Sequence, residues 1–92
     1  MDVGRGGMSY YKNFASYEDG IVGAKGFYVK VVDMDGKEYI SSAIPIDHID
    51  LVLLEGEQAI METTNWSIWN GTDKKVVVFA GGTIRRIEAI LL

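Results

Sequence analysis

The sequence predicts a mainly β fold: a small antiparallel sheet of about six strands, curled into a roll or a barrel, with room for a short terminal helix. Short runs of β-branched and aromatic residues recur along the chain. Two dipeptides that favour tight turns, Asp35-Gly36 and Asn70-Gly71, separate such runs. A length of 92 residues suits one domain. We assign residues 9–92 to it and the glycine-rich residues 1–8 to a flexible tail.

Residues 9–20 carry aromatic side chains at helical spacing, after a serine that favours a helix N-cap. The rings are those of Tyr10, Phe14 and Tyr17. The segment is either a short helix or an irregular arm. In both cases we expect the rings to pack in the core or in an interface.

The clearest hairpin surrounds Asp35-Gly36. Residues 27–33 are rich in strand formers, and a two-residue turn would set Asp33 opposite Glu38, an unfavourable pair of like charges. Pro45 then restricts the sheet, since it has no N–H to donate.

Residues 48–64 are predicted as two further strands on either side of Glu55-Gly56. Alternation along the first of them places Ile49 and Leu53 on one face and His48 and Asp50 on the other.

The stretch "NWSIWNGTDKKVVVFA" predicts another hairpin. Residues 65–69 form its first strand and Asn70-Gly71 its turn. Four consecutive apolar residues, Val76 to Phe79, predict a central strand that is covered on both faces.

The last segment, residues 83–92, fits two structures. A helix would place Ile84, Ile87 and Leu91 on one stripe. A strand after Gly81-Gly82 would pair Phe79 with Ile84, and Lys75 with Glu88. The sequence leaves both open.

The two tryptophans three residues apart are the main candidates for a site. Because side chains alternate along a strand, Trp66 and Trp69 should point to opposite faces, and we expect Trp66 inside and Trp69 near the rim. A two-residue loop sets Trp66 opposite Lys75, and a four-residue loop sets Trp69 opposite Lys74. Either register allows a cation–π contact of about 0.5–1 kcal/mol. We hypothesise that Trp69 lies in a subunit contact or a ligand site.

Composition excludes several classes of function. The chain has no cysteine, so it has neither disulfides nor thiolate chemistry. It shows no signal peptide and no apolar run of about 18 residues, which predicts a cytoplasmic protein without membrane contact. Residues 38–73 carry seven acids and no Lys or Arg, and this charge pattern disfavours nucleic acid as a partner.

Candidates for chemistry are few. Phosphate-binding and nucleophile motifs are absent, and Glu55 and Glu57 flank the predicted turn as solvated carboxylates. His48 and Asp50 would share a strand face about 7 Å apart, but zinc usually takes three or four protein ligands. They are weak metal candidates only. We therefore expect no metal, no cofactor and no catalytic residue.

These observations favour a non-catalytic module that self-associates and binds a protein partner. Its interface candidates are aromatic or flank an indole: Trp66, Trp69, Tyr10, Phe14, Tyr17 and Lys75. The alternative is a protein that binds a small ligand (an organic cation, a sugar or an aromatic compound) through Trp69 and nearby acidic residues.

Overall fold

The computed structural model describes residue 21 and residues 23–92. Within this part of the chain, six β-strands form, with an α-helix between the third and the fourth. The strands are β1 (Gly26–Asp33), β2 (Glu38–Ile40), β3 (Ile44–Pro45), β4 (Trp66–Asn70), β5 (Lys75–Phe79) and β6 (Ile84–Leu91), and the helix is α1 (Ile49–Glu62). The predictions for residues 1–8 and 9–20 lie outside the described residues.

β1 lies at the centre of a four-stranded antiparallel sheet. It pairs with β2 and β3 along one edge and with β6 along the other. β4 and β5 form a separate antiparallel ribbon. The predicted mainly β, antiparallel fold is thus confirmed. Among the described strands neither sheet closes on itself, so the roll or barrel stays a prediction.

One face of β1 supplies the centre of the core. Phe27, Val29 and Val31 alternate along the strand and are fully buried. The side chains that pack with them come from α1, from the ribbon and from β6: Ile49, Leu53, Ile68, Phe79 and Ile84. The helix and the ribbon therefore form a second layer on the same face of the sheet.

The prediction of two strands within residues 48–64 is wrong, because residues 49–62 form α1. The buried residues of α1 are spaced three or four apart, as on one face of a helix: Ile49, Leu53, Gly56 and Ala59. Most others are strong helix formers (Leu, Glu, Gln, Met), which outweigh the cost of about 1 kcal/mol for one interior glycine. Gly56 is not a turn: a Cβ there would lie 2.6 Å from Cδ1 of Ile87, so the glycine allows α1 to approach β6.

The β1–β2 hairpin forms, but its register differs by one residue from the predicted one. Lys30 pairs with Ile40 and Val32 with Glu38. The shift arises from a three-residue loop that ends at Gly36, whose φ of 84° is left-handed. Glu38 consequently does not lie opposite Asp33. Its carboxylate is instead 3.3 Å from the Lys30 ammonium.

The register shift leaves Asp33 free to cap the turn. Its Oδ1 accepts the N–H groups of Asp35 and Lys37, each at 2.9 Å. These hydrogen bonds to the ionised form, the Lys37 N–H above all, hold the pKa of Asp33 below its ordinary value.

The C-terminal segment is a strand, but it pairs with β1 and not with β5. The predicted pairs between Phe79 and Ile84 and between Lys75 and Glu88 are therefore wrong. After β5 the chain turns at residues 80–83 and joins the main sheet, where the Met34 N–H donates to the Thr83 carbonyl at 2.9 Å. Among the described strands β5 pairs with β4 alone, and Val76 and Val78 are exposed, so its prediction as a central strand covered on both faces is also wrong.

Candidate functional site

The ribbon carries both tryptophans and points them to opposite faces, in agreement with strand alternation. Trp66 is partly buried and packs against the core, whereas Trp69 is 52% exposed. Trp66 thus contributes to the fold, and Trp69 offers an indole to solvent.

The register of the ribbon differs from both predicted registers. Trp66 pairs with Phe79 and Trp69 with Val76, while Lys75 pairs with Asn70. The prediction of an indole opposite a lysine is therefore wrong. The cause lies in the loop: Lys74 takes a left-handed φ of 53°, and Asn70 Oδ1 accepts the Asp73 N–H at 3.0 Å, so the turn starts one residue later.

A polar junction fixes Trp69 relative to the main sheet. The Ser42 N–H donates to the Trp69 carbonyl at 2.8 Å, and Ser42 Oγ accepts the Gly71 N–H. Asn70 Nδ2 donates to the Ile40 carbonyl at 2.8 Å. The end of β4 is thus held to the segment between β2 and β3, and the Trp69 backbone is fixed with it.

Between α1, β4 and this segment lies a cleft of about 180 Å³. We call it the indole cleft; its lining consists of Val29, Ser41, Ser42, Ala43, Ile44, Val52, Glu55, Trp66, Ser67, Ile68 and Trp69. The lining is mostly apolar, and Glu55 is the one ionisable side chain among the described residues that form it. An apolar pocket with a few polar groups is the common form of a small-molecule site.

The outward face of the ribbon is the second candidate surface. Strand pairing sets Trp69 beside Val76 and Ser67 beside Val78. Val76 is 59% and Val78 is 65% exposed. We call these four residues the ribbon face; it is a largely apolar patch that continues to the edge of β5 that no other described strand pairs with.

The predicted metal candidates do not come together as expected. His48 ends a 3-10 turn before α1, and Asp50 lies in the first turn of the helix, so they do not share a strand face. Among the described residues, no group of three or more His, Cys, Asp or Glu side chains is placed to hold a metal ion.

The two glutamates that were predicted to flank a turn lie on α1 and diverge. Glu55 lines the indole cleft, whereas Glu57 lines a groove beside β6. Residues two apart on a helix point in different directions, so these carboxylates do not form an acid–base pair.

Sequence reasoning missed Glu55 and Ser42 as cleft residues. Helical periodicity over residues 49–60 would have placed Val52 and Glu55 on the flank of α1 that meets the ribbon. No sequence signal identifies Ser42, because its role depends on contacts with residues about 30 positions later. The aromatic candidates Tyr10, Phe14 and Tyr17 lie outside the described residues.

Comparison with known proteins gives no relative: no family model, no curated protein and no solved structure matches this chain. No helix in the described part of the chain has the length and apolar character of a membrane span.

Proposed function

We propose that the protein is a non-catalytic interaction module that self-associates and binds a protein partner. The observation that carries this proposal is the ribbon face. Three of its apolar side chains, Trp69, Val76 and Val78, are each more than half exposed and adjacent. Contiguous apolar patches on a small domain usually mark interfaces.

Trp69 is the anchor in this proposal. Trp is enriched among the residues that dominate binding energy, and a side chain that is fixed before binding loses little entropy. The hydrogen bond from Ser42 to the Trp69 carbonyl fixes its backbone, and the indole lies beside Gly71, where a Cβ would come 3.3 Å from Nε1. We assign the partner-binding role to this preorganised indole.

Light scattering after size exclusion tests self-association first. The full chain, measured at two concentrations, should give a molar mass above the 10.2 kDa of one chain. A mass of one chain at both concentrations would contradict that half of the proposal.

Partner binding is tested with Trp69→Ala. A partner protein that is recovered by cross-linking to this chain should bind the purified chain. Trp69→Ala should weaken that binding at least about tenfold, as expected of an interface anchor. Leu51→Ala is the matched control, because Leu51 is 55% exposed but lies on α1. Equal binding by both variants would contradict the role of the ribbon face.

A second candidate function is the binding of a small organic cation in the indole cleft. The observation that favours it is that Trp66, Trp69 and Glu55 all line one cleft. A carboxylate and an indole that line one apolar cleft suit a quaternary ammonium group, and the volume is close to that of cavities of about 150 Å³ that hold benzene. Titration with tetramethylammonium should change tryptophan fluorescence, and Glu55→Gln should weaken this response. Glu57→Gln is the control; a loss of response in the control only, or no response in the native chain, would exclude this function.

A further inference from the structure

We propose that the chain self-associates through the outer edge of β6. A second copy adds its own β6 there, antiparallel to the first, about a two-fold axis at Ile87. This inference rests on the self-association in the proposed function. The occupant is therefore another molecule of this chain. The ribbon face is then left for the partner.

The hydrogen bonds of β1 show which groups of β6 face outward. The Val29 N–H donates to Ser41 Oγ and the Val29 carbonyl accepts the Ser41 N–H, so Val29 points its backbone groups away from β6. Its neighbours Tyr28 and Lys30 consequently point toward β6, where they pair with Ile90 and Glu88. The backbone groups of Ile87 and Ala89 then face outward, and among the described strands none pairs with them.

An exposed apolar flank of α1 lies above this edge. A groove of about 280 Å³ runs between them, and its lining residues are Leu53, Glu57, Ile60, Met61, Arg85, Arg86 and Ile87. Met61 is 76% exposed, and Leu54, two turns before it on the same flank, is also exposed. A second β6 at the edge would bring the two flanks together and cover these side chains.

Charge selects the register of the pairing. With the axis at Ile87, Arg86 of each copy lies opposite Glu88 of the other, so two pairs of opposite charges form. Moving the axis to Glu88 would set two Glu88 side chains against each other, which is unfavourable. The arrangement Arg86-Ile87-Glu88 is thus self-complementary under a two-fold axis, as an isologous interface requires.

Single cysteines test this register, because the chain has none of its own. In the proposed dimer, Arg86 of one copy lies directly opposite Glu88 of the other, in a non-hydrogen-bonded pair whose Cα atoms are about 4.5 Å apart, which a disulfide can bridge. The two copies of Arg86 are offset by two positions along the strands, as are the two copies of Glu88, so their Cα atoms lie beyond about 7 Å. We expect a mixture of the full-length Arg86→Cys and Glu88→Cys chains to form a disulfide-linked dimer about tenfold faster than either variant alone. A mixture of Val76→Cys and Val78→Cys, two exposed positions on β5, is the control for random collision.

Backbone hydrogen exchange of the native chain tests the edge without substitution. Raising the protein concentration should slow exchange at the N–H groups of Ile87 and Ala89 about tenfold, with no comparable change at Val76 and Val78.

Each other outcome overturns a defined part. Efficient linkage of Glu88→Cys alone would show a different axis and refute the register. A dimer by light scattering that neither links at β6 nor protects Ile87 would refute this inference but leave the proposed self-association intact. A monomer at all concentrations would refute both.

Discussion

Replacing Ser41 by Ala would remove a buried hydrogen bond at the point where the main sheet meets the indole cleft. Ser41 is 7% exposed, and its Oγ accepts the Val29 N–H at 2.9 Å. The same hydroxyl donates to the Ser42 carbonyl at 2.8 Å. Alanine leaves the N–H of Val29, a fully buried residue, without its acceptor.

The structure sets the size of the effect. An unsatisfied buried donor costs about 1–3 kcal/mol, and Ser41→Ala loses only one oxygen atom of packing. We therefore expect the free energy of unfolding to fall by about 2 kcal/mol. For a domain of this length, that corresponds to a decrease in Tm of roughly 8–16 °C.

Urea unfolding of the full chain measures this change, with Ser67→Ala as the control because Ser67 lies on the exposed ribbon face. The slope with denaturant should stay constant, and the Val29 N–H should exchange faster in Ser41→Ala. A loss below about 0.5 kcal/mol with unchanged exchange would refute the reasoning, because the hydroxyl would then not be the essential acceptor.

Three further changes have defined outcomes. In Gly81→Ala the new Cβ would clash with the Thr63 carbonyl, so we expect the free energy of unfolding in urea to fall by about 3 kcal/mol. Gly23→Ala is the control, because a Cβ there meets open space and should change this free energy very little. Equal losses in the two variants would contradict the clash. Trp66→Ala removes a side chain that packs on the core and should cost about 3 kcal/mol by circular dichroism, and a loss under about 1 kcal/mol would contradict its core role. The pKa of Asp33 is lowered in the fold, so its ionised form contributes stability that is present above about pH 4 and is lost as the pH falls further. We therefore expect Tm to fall less steeply below about pH 4 in Asp33→Asn than in the native chain. Parallel curves of Tm against pH would contradict this.

Local turn chemistry placed both hairpins correctly, but it could not give their registers. Asp35-Gly36 lies in the β1–β2 loop, whereas Asn70 is the last paired residue of β4 and Gly71 begins the β4–β5 loop. Each register depended on how a few loop residues form hydrogen bonds, in particular the Asp33 carboxylate and the Asn70 amide. These choices involve about 1 kcal/mol each, which propensity alone does not resolve.

A single glycine, Gly56, obscures the helix in the sequence. Residues 49–62 satisfy helical spacing, but Gly56 after Glu55 resembled a turn. A glycine is needed at position 56 for a tertiary reason: the side chains of Trp66 and Ile87 approach α1 at that point. Both residues come from strands that follow the helix in the chain.

The candidate site could be predicted only in part. Strand alternation was sufficient to separate Trp66 from Trp69, because it depends on backbone geometry alone. Glu55, which lines the cleft together with both tryptophans, could not be predicted as a cleft residue from a strand assignment of residues 48–64, because its position depends on the helix. Ser42, which fixes the end of β4, belongs to a contact between distant segments.

The pairing of β1 with β6 has a consequence for folding during synthesis. β1 is made early, yet the strand that completes its second edge follows after the helix and the ribbon have been made. Until then, among the described strands, β1 has partners only along the edge that receives β2 and β3, and its other edge lacks its own partner β6. Pairing strands so far apart in sequence is slow compared with forming a hairpin, so the incomplete chain exposes a strand edge that favours aggregation until β6 is in place.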